Sequence, residues 1–575
     1  MYLRTTQRRN RDGSVVRYVQ LAHNRRKGDS TQAEVLINFG REDQLDMAGL
    51  RRLVGSIGRY LDGTRGLAAA PEAAGLVVEA ARPIGAVWLL DGLWRRLGIA
   101  RALGEVLGRR QFTVKMERVL LALVASRAVQ PSSKLAAAEW ASHDVVVPGL
   151  DRMDEDQAYR AMDLLVEADV DGAVQQAVFF AVADLLNLEV DLLLFDTTST
   201  YFEVDDADPD TDEQDGFRRF GHSKDHRKDR PQVVIGLAVT REGIPVRVWC
   251  WPGSTNDHTV VPQVKDDLRG WRLGRVVWVV DAGFSSDANL AYVQRAGGHW
   301  IAGERMRDGS ADAQAALARQ GRYRTVRDNL RVKEVTLGQG EAARRFVVCH
   351  NPDQAVRDAA ARARQLAQVT AELERIQQLR AKAARQATNR AAPRTPGGKA
   401  GSAPPEHLRA ECALREHPTL GRWVRQARGG RLAVDRAKVK VEERLDGKFL
   451  LSTSDPDLAA EDVALGYKNL LEAERAFRDI KTTLVLRPIY HRLEQRIRAH
   501  VLLCWLALLL VRVVERTAQT TWRQAARELG RLHLVSLAGP DGRVEHTTRL
   551  TPTQQALFRA LNVPPPPPIL AVNPP

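Results

Sequence analysis

Residues 190–203 read VDLLLFDTTSTYFE and residues 275–286 read RVVWVVDAGFSS. Each contains an apolar run without alternation, Leu192 to Phe195 and Val276 to Val280, and each run leads straight into an aspartate, Asp196 or Asp281. Such runs predict strands buried on both faces, as in the middle of a parallel sheet. PQVVIGLAVT and GIPVRVWCW, joined by REG, predict two further strands. A helical stretch after STNDH, a helix through ANLAYVQRAG and the short strand HWIAGE complete the order β, β, β, α, β, α, β.

Ligands of open α/β sheets sit beyond the carboxyl ends of the strands, so two neighbouring strands ending in Asp place two carboxylates side by side there. An Asp after a strand also commonly opens an Asx-turn or caps the next helix. For Asp281 the segment DAGFSSDANL already offers Ser285 or Ser286 as the cap, which leaves the aspartate free. Unpaired, the two acids repel, and a hard divalent cation such as Mg²⁺ is what most readily keeps them ionised. Asp257 in STNDHTVV reads as a helix cap.

A third carboxylate is sought on a helix after the last strand, because three acids can hold the two ions that assist phosphodiester displacement. YKNLLEAERAFRDIK, from Tyr467 to Lys481, reads as one amphipathic helix with Leu470, Ala473, Phe477, Ile480 and Leu484 on its buried face. Tyr467, Glu474 and Lys481 are spaced two turns apart along the border of that face, whereas Glu472 and Asp479 point elsewhere. The plain alternative for Glu474 is a surface ion pair with Arg478 at i+4.

The whole chain has 575 residues, enough for several cores. Its 85 Lys plus Arg against 71 Asp plus Glu leave a net charge of +14, which favours a polyanionic partner such as nucleic acid. The four cysteines are far apart, excluding a disulfide scaffold and a close-paired zinc site and fitting a reducing cytoplasm. The opening MYLRTTQRRNRDG has no apolar h-region. The longest apolar run, Val501 to Val511, is too short for a bilayer span and reads as a buried helix, so no membrane is expected.

Residues 1–65 are expected to form a small β-rich module and 66–188 a helical domain for DNA binding or assembly. Between Ala355 and Ala400 ten Arg or Lys face three Asp or Glu, with Leu366, Val369, Leu373 and Ile376 as a narrow stripe: a basic helical hairpin, either solvated or contacting DNA. A loop, APRTPGGKAGSAPPE, follows, and residues 531–575 are expected as a C-terminal tail, its end VPPPPPILAVNPP extended or disordered.

The strand order, the two strand-associated aspartates and a helix reading Tyr, two residues, Leu, three residues, Glu, six residues, Lys together resemble a bacterial insertion-sequence transposase of the DDE class. More narrowly, they resemble the branch with the Tyr-Arg-Glu-Lys signature and an insertion domain before the last acid. FDTTSTYFE, GHSKDHRKDRPQVVIGL, GIPVRVWCWPGSTND, VVDAGFSS and RPIYHRLEQRIRAHVLLCWLALLL support the likeness over residues 190 to 515. It implies an α/β ribonuclease-H-like catalytic core in two parts, 189–305 and 449–530, around an insertion domain at 306–448. It further implies Asp196, Asp281 and Glu474 as the catalytic, metal-binding triad, Mg²⁺ as cofactor with Mn²⁺ able to substitute, and Tyr467 and Lys481 as contacts to the terminal phosphate.

Leu470 stands where the signature has arginine, and Ala282 where many relatives have one. His222, Lys224 and Arg227 of the basic loop GHSKDHRKDR, with Arg478, are expected at DNA phosphates. The implied partners are double-stranded DNA, as terminal inverted repeats and target, and a second copy in a homodimer on DNA; the implied location is the bacterial cytoplasm, at the nucleoid. The rival activities are a metal-dependent nuclease that cuts without joining and a DNA-binding relative without catalysis.

Overall fold

The computed structural model describes residues 2–10, 15–27, 30–61, 76–107, 115–188, 190–210, 216–271, 273, 275–307, 309–340, 343–389, 405–428, 430–540 and 542–574. The chain divides into two compact units, one of residues 1–81, 535–547 and 568–575, the other of 82–534 and 548–567.

In the first unit β1 (Tyr2–Arg9), β2 (Val15–Lys27) and β3 (Ser30–Arg41) form an antiparallel meander, followed by the amphipathic helix α1 (Met47–Leu61). A four-stranded sheet joins β4 (Val77–Pro83) to strands from the far end of the chain, β16 (His533–Gly539), β17 (Gly542–Thr547) and β18 (Ile569–Asn573). The residues expected as a tail are therefore structured. HLVSLAG and GRVEHT pair in a sheet, and Thr551 and Gln554 close a capping box at the start of the helix Pro552–Ala560. The proline run after that helix is held in the second unit, where Trp88 Nε1 donates to the Pro564 carbonyl at 2.9 Å.

The second unit opens with the α-helices α2 (Gly85–Arg96), α3 (Ile99–Leu107), α4 (Met116–Val129), α5 (Lys134–Glu139), α6 (Glu155–Ala168) and α7 (Ala173–Leu186). They do not stand apart from the core, because α4 and α6 pack on the apolar helix near the C-terminus, Glu494–Ala518. That helix is long and apolar enough to cross a membrane by length and composition, but 94% of its apolar window is buried within the protein.

The centre of the unit is a nine-stranded mixed sheet. Its strands are β5 (Leu192–Tyr201), β6 (Gln232–Thr240), β7 (Pro245–Pro252), β8 (Val277–Val280), β9 (His299–Glu304), β10 (Arg324–Arg327), β11 (Leu330–Leu337), β12 (Arg344–His350) and β15 (Lys448–Thr453). They lie in the order β10-β11-β12-β15-β9-β8-β5-β6-β7. β5, β8 and β9 are parallel, and β6 and β7 extend one edge as a hairpin, the layout of a ribonuclease-H-like core. Helices α8 (Asp257–Arg269) and α9 (Asp287–Gln294) link these strands.

The other edge is built by the segment after β9. The helix α10 (Ala311–Ala318) precedes β10, and β12, β11 and β10 reach the core sheet through β15, which pairs antiparallel to β9. Between β12 and β15 the chain forms the 38-residue helix α11 (Pro352–Asn389), then α12 (Glu406–Glu416), the short hairpin β13 (Val424–Gln426) and β14 (Leu432–Val434), and α13 (Arg436–Glu443). Leu373 and Ile376 of the expected stripe pack with Ala410 and Leu414, which makes α11 and α12 a helical hairpin. Of the loop expected at 392–406, residues up to 404 lie outside the described ones.

After β15 come α14 (Ala460–Lys468), α15 (Leu471–Thr482), α16 (Glu494–Ala518), α17 (Trp522–Leu529) and α18 (Pro552–Ala560). The amphipathic stretch read as one helix is thus two, α14 and α15. They are separated at Asn469 and Leu470 by a tight turn in which Leu470 N–H donates to Tyr467 O and Glu472 N–H to Asn469 O. The apolar spacing survives the break, since Leu470, Ala473, Phe477, Ile480 and Leu484 are all buried.

Candidate active site

Side chains alternate across a strand. Leu193 and Phe195 of β5 enter the core with α7 and α8, so Leu192, Leu194 and Asp196 face the other side. There Leu192 lies beside Gly466 of α14. The parallel register pairs Phe195 with Val280, so Asp196 and Asp281 each follow one member of a cross-strand pair and come out side by side. Ser286 caps α9 by accepting from Asn289 N–H at 3.3 Å, and Asp281 is free of that task.

Tyr467, at the end of α14, donates its hydroxyl to Asp281 Oδ1 at 2.9 Å. Its ring stacks on Phe449 at 6.3 Å and its hydroxyl passes over Gly303 of β9, where a Cβ would lie 2.4 Å from the phenol oxygen. Burial, then the charge and hydrogen bond of Asp281, with Glu474 and Asp196 adding to them, hold the phenol far above its ordinary range. Tyr467 therefore stays a protonated donor in the field of all three acids. Glu474 itself is exposed on α15, and among the described residues no three His, Cys, Asp or Glu side chains stand together as a ready-made metal site.

Asp196 is the perturbed acid. Burial pushes its carboxyl up to about 6, Asp281 and Asp257 add to the rise, and Lys224 and the Thr197 N–H oppose it. The donor set suits a divalent cation, because neighbouring carboxylates offer only oxygen ligands and gain from added positive charge. Without a cation the raised value has a sign. Between the ordinary 3.8 and about 6 the folded protein keeps a proton that the unfolded chain releases, so stability falls as pH rises through that window, by about 3 kcal/mol. Cation-free Asp196→Asn is expected to melt higher than the wild type at pH 7 and equally at pH 4; equal melting at both would contradict the burial of this carboxylate.

The remaining expected site residues are not all at DNA-facing positions. Lys481 donates to Thr198 Oγ1 at 2.7 Å and pairs with Asp225 at 2.9 Å, and Arg487 takes the other Asp225 oxygen at 3.0 Å. Burial lowers the Lys481 ammonium. Arg227 is held by both oxygens of Asp229 at 2.9 Å and lies over the Tyr201 ring, so it is tied to its own loop. His222 is exposed at a cleft of about 220 Å³ shared with Thr198, Ser199, Lys224, Asp257 and Arg305. Arg478 is exposed and makes no ion pair with Glu474 among the described residues, so the plain reading of that acid as half of a surface pair does not hold.

Asp257 is not the expected cap: Asn256 occupies the N-cap of α8, and the Asp257 carboxylate takes the Thr197 hydroxyl at 2.6 Å and the Lys224 ammonium at 3.0 Å. Asp225, Arg487 and Gly303 were not foreseen. For Asp257 a signal was present, since a helix following the β6–β7 hairpin starts at the same end of the sheet.

Compared with known proteins, residues 196–510, more than half of the chain, match the family described as the transposase DDE domain. Residues 3–70 match the N-terminal domain of IS1634 family transposases. The cryo-EM structure of the piggyBac transposase synaptic complex with hairpin DNA aligns at 9% identity over 77% of this chain and 78% of that one, with a TM-score of 0.35. No curated protein matches. The chain belongs to the DDE transposase family. It is an insertion-sequence DNA transposase, its partner is DNA, and the domain works with divalent cations.

Proposed function

We propose that the enzyme binds the terminal inverted repeats of its own element as a homodimer, cleaves there and joins the freed ends to target DNA, using Asp196, Asp281 and Glu474 as the acids that hold Mg²⁺. The observation that carries this reading is that Asp281 follows the end of β8 and Asp196 lies beside it midway along β5, just past the last parallel pair Phe195–Val280, with Tyr467 donating to Asp281 in the field of Glu474. When bound, the cation would supply Lewis acidity to the attacking and leaving oxygens. The protein's own groups orient the reaction: Tyr467 fixes Asp281, and Lys481, which Asp225 and Thr198 hold beside the site, is assigned to the terminal phosphate, for which it would exchange its Asp225 partner. The reading also places the chain in the Tyr-Arg-Glu-Lys branch, with buried Leu470 in the arginine's position.

The domain scheme goes with it: a small β-rich module at 1–65, a helical domain for DNA binding or assembly at 66–188, and an insertion at 306–448 within a core at 189–305 and 449–530. Incubating the protein with DNA from the flanks of its gene and Mg²⁺ tests the reading. Cleavage and joined product are expected, both abolished by chelator and restored by Mg²⁺ or Mn²⁺. Cleavage without joining would make it a nuclease, and cleavage in excess chelator would end the metal assignment.

The insertion helix α11 offers a second test. Arg357, Arg364 and Lys382 are exposed, and at 3.6 residues per turn they fall within about 20° of one another around the axis. We assign this row to DNA phosphates. Charge reversal of all three to Glu is expected to leave the far-UV CD spectrum intact, weaken end binding in a gel shift at least roughly tenfold and flatten the salt dependence by about two to three ions. Unchanged affinity would make α11 a solvated spacer.

A further inference from the structure

Lys224 turns inward rather than toward bulk solvent. From the loop between β5 and β6 its ammonium donates to the Thr197 carbonyl at 2.9 Å and the Thr197 hydroxyl at 2.6 Å, and it stands 3.0 Å from Asp257 Oδ2. Asp257 Oδ1 accepts the Thr197 hydroxyl at 2.6 Å, which closes the set, and the Lys224 N–H fixes the loop to Ser199 Oγ at 2.8 Å. Thr197 is the residue after Asp196, so a positive charge is built in next to the acid pair. Lys224 is the basic group that draws the buried Asp196 toward its charged form.

Its side chain is 31% exposed and borders the cleft with His222 and Arg305, so the flexible stem has an open direction into which to swing. Asp196 Oδ1 accepts the Thr197 N–H at 2.7 Å while the Lys224 ammonium takes the carbonyl of the same residue, so a dication held by Asp196 and this ammonium would repel each other.

We propose that Lys224 is the resident counter-cation of the acid group, that a divalent cation displaces it, and that the released ammonium then takes a DNA phosphate, so that cation and DNA bind cooperatively. The proposal rests on the reading of Asp196 and Asp281 as metal ligands. Displacement costs the cation part of its affinity, and a phosphate that receives the ammonium returns that part. The coupling must be reciprocal: DNA tightens the cation as much as the cation tightens DNA.

Mn²⁺ binding to the full chain, followed by the EPR signal of the free ion, tests this without any turnover. Lys224→Met keeps the stem and removes the charge. It is expected to bind Mn²⁺ roughly tenfold tighter than the wild type, and a DNA duplex added to both is expected to tighten Mn²⁺ much less in the variant. Lys224→Arg, which keeps a cation in place, should stay near the wild type. Should Lys224→Met melt lower than the wild type, Lys224→Gln replaces it in both arms. Mn²⁺ affinity that is unchanged or weaker in the charge-free variant, or a DNA effect of equal size in both proteins, overturns the proposal. Asp196→Asn separates the two readings: if it binds Mn²⁺ like the wild type, the metal-ligand assignment itself has failed, whereas if it loses Mn²⁺ while Lys224→Met matches the wild type, only the displacement is wrong.

Discussion

Glu474→Gln protein is expected to bind DNA ends like the wild type and to cleave them several orders of magnitude more slowly, while Glu472→Gln cleaves at the wild-type rate. The two residues are about 200° apart around α15. Glu472 is held by Arg475 at 2.7 Å and lies against Gly243 in the β6–β7 turn, at the end of the sheet where β5 begins. Glu474 has no ion pair among the described residues and contributes to the field that keeps the Tyr467 phenol protonated. The Gln substitution preserves size and polarity and removes only the charge that the proposed cation needs. Single-turnover cleavage of a labelled end, with a gel shift alongside, decides the matter. If both variants cut normally, or if the Glu472 variant is the dead one, the assignment of the third acid is wrong.

Gly303→Ala is expected to damage both the fold and the acid pair with a single methyl group. A Cβ there would stand 2.4 Å from the Tyr467 hydroxyl, 3.0 Å from its Cζ and 3.3 Å from the Ala282 N–H. The tyrosine cannot retreat freely, because its ring stacks on Phe449, so overpacking is expected to cost about 1–3 kcal/mol. It would also move the group that fixes Asp281, and displacements near 1 Å at a reacting centre cost roughly 100-fold in rate. Tyr467→Phe is the companion variant: it keeps the ring and loses only the hydrogen bond, so it should melt like the wild type and cleave more slowly. A Gly303→Ala protein with wild-type melting temperature and rate would show that Tyr467 does not pack on β9 as described.

Much of the core was legible in the chain because local patterns coincide with the burial they produce. Leu192–Phe195 and Val277–Val280 are unbroken apolar runs, and they pair in parallel at the centre of the sheet, the first as the opening of β5 and the second as the whole of β8. Ser286 sits three residues before the N–H it caps. Leu470, Ala473, Phe477, Ile480 and Leu484 keep helical spacing and are buried. The C-terminal strands HLVSLAG and GRVEHT escape a sequence reading because neither carries a clean period-two alternation of apolar and polar residues, and their place is set by pairing with β4 and β18.

What the sequence by itself determined is therefore which residues enter the core and that an acid follows each apolar run, since both follow from the period of hydrophobicity and the identity of the next residue; that β8 ends at its acid while β5 runs on past Asp196 to Tyr201, paired with β6, was not in that pattern. What only the tertiary structure decided is pairing at long range. The break at Asn469–Leu470 sets Tyr467 over Asp281, 186 residues away in the chain. Asp257 meets Lys224 and Thr197 rather than its own helix end, and Lys481 meets Asp225. β15 brings β10–β12 onto the β9 edge. None of these partners is encoded in a local spacing. Each is selected by the sheet register and by which side chains must find a hydrogen bond once water is excluded.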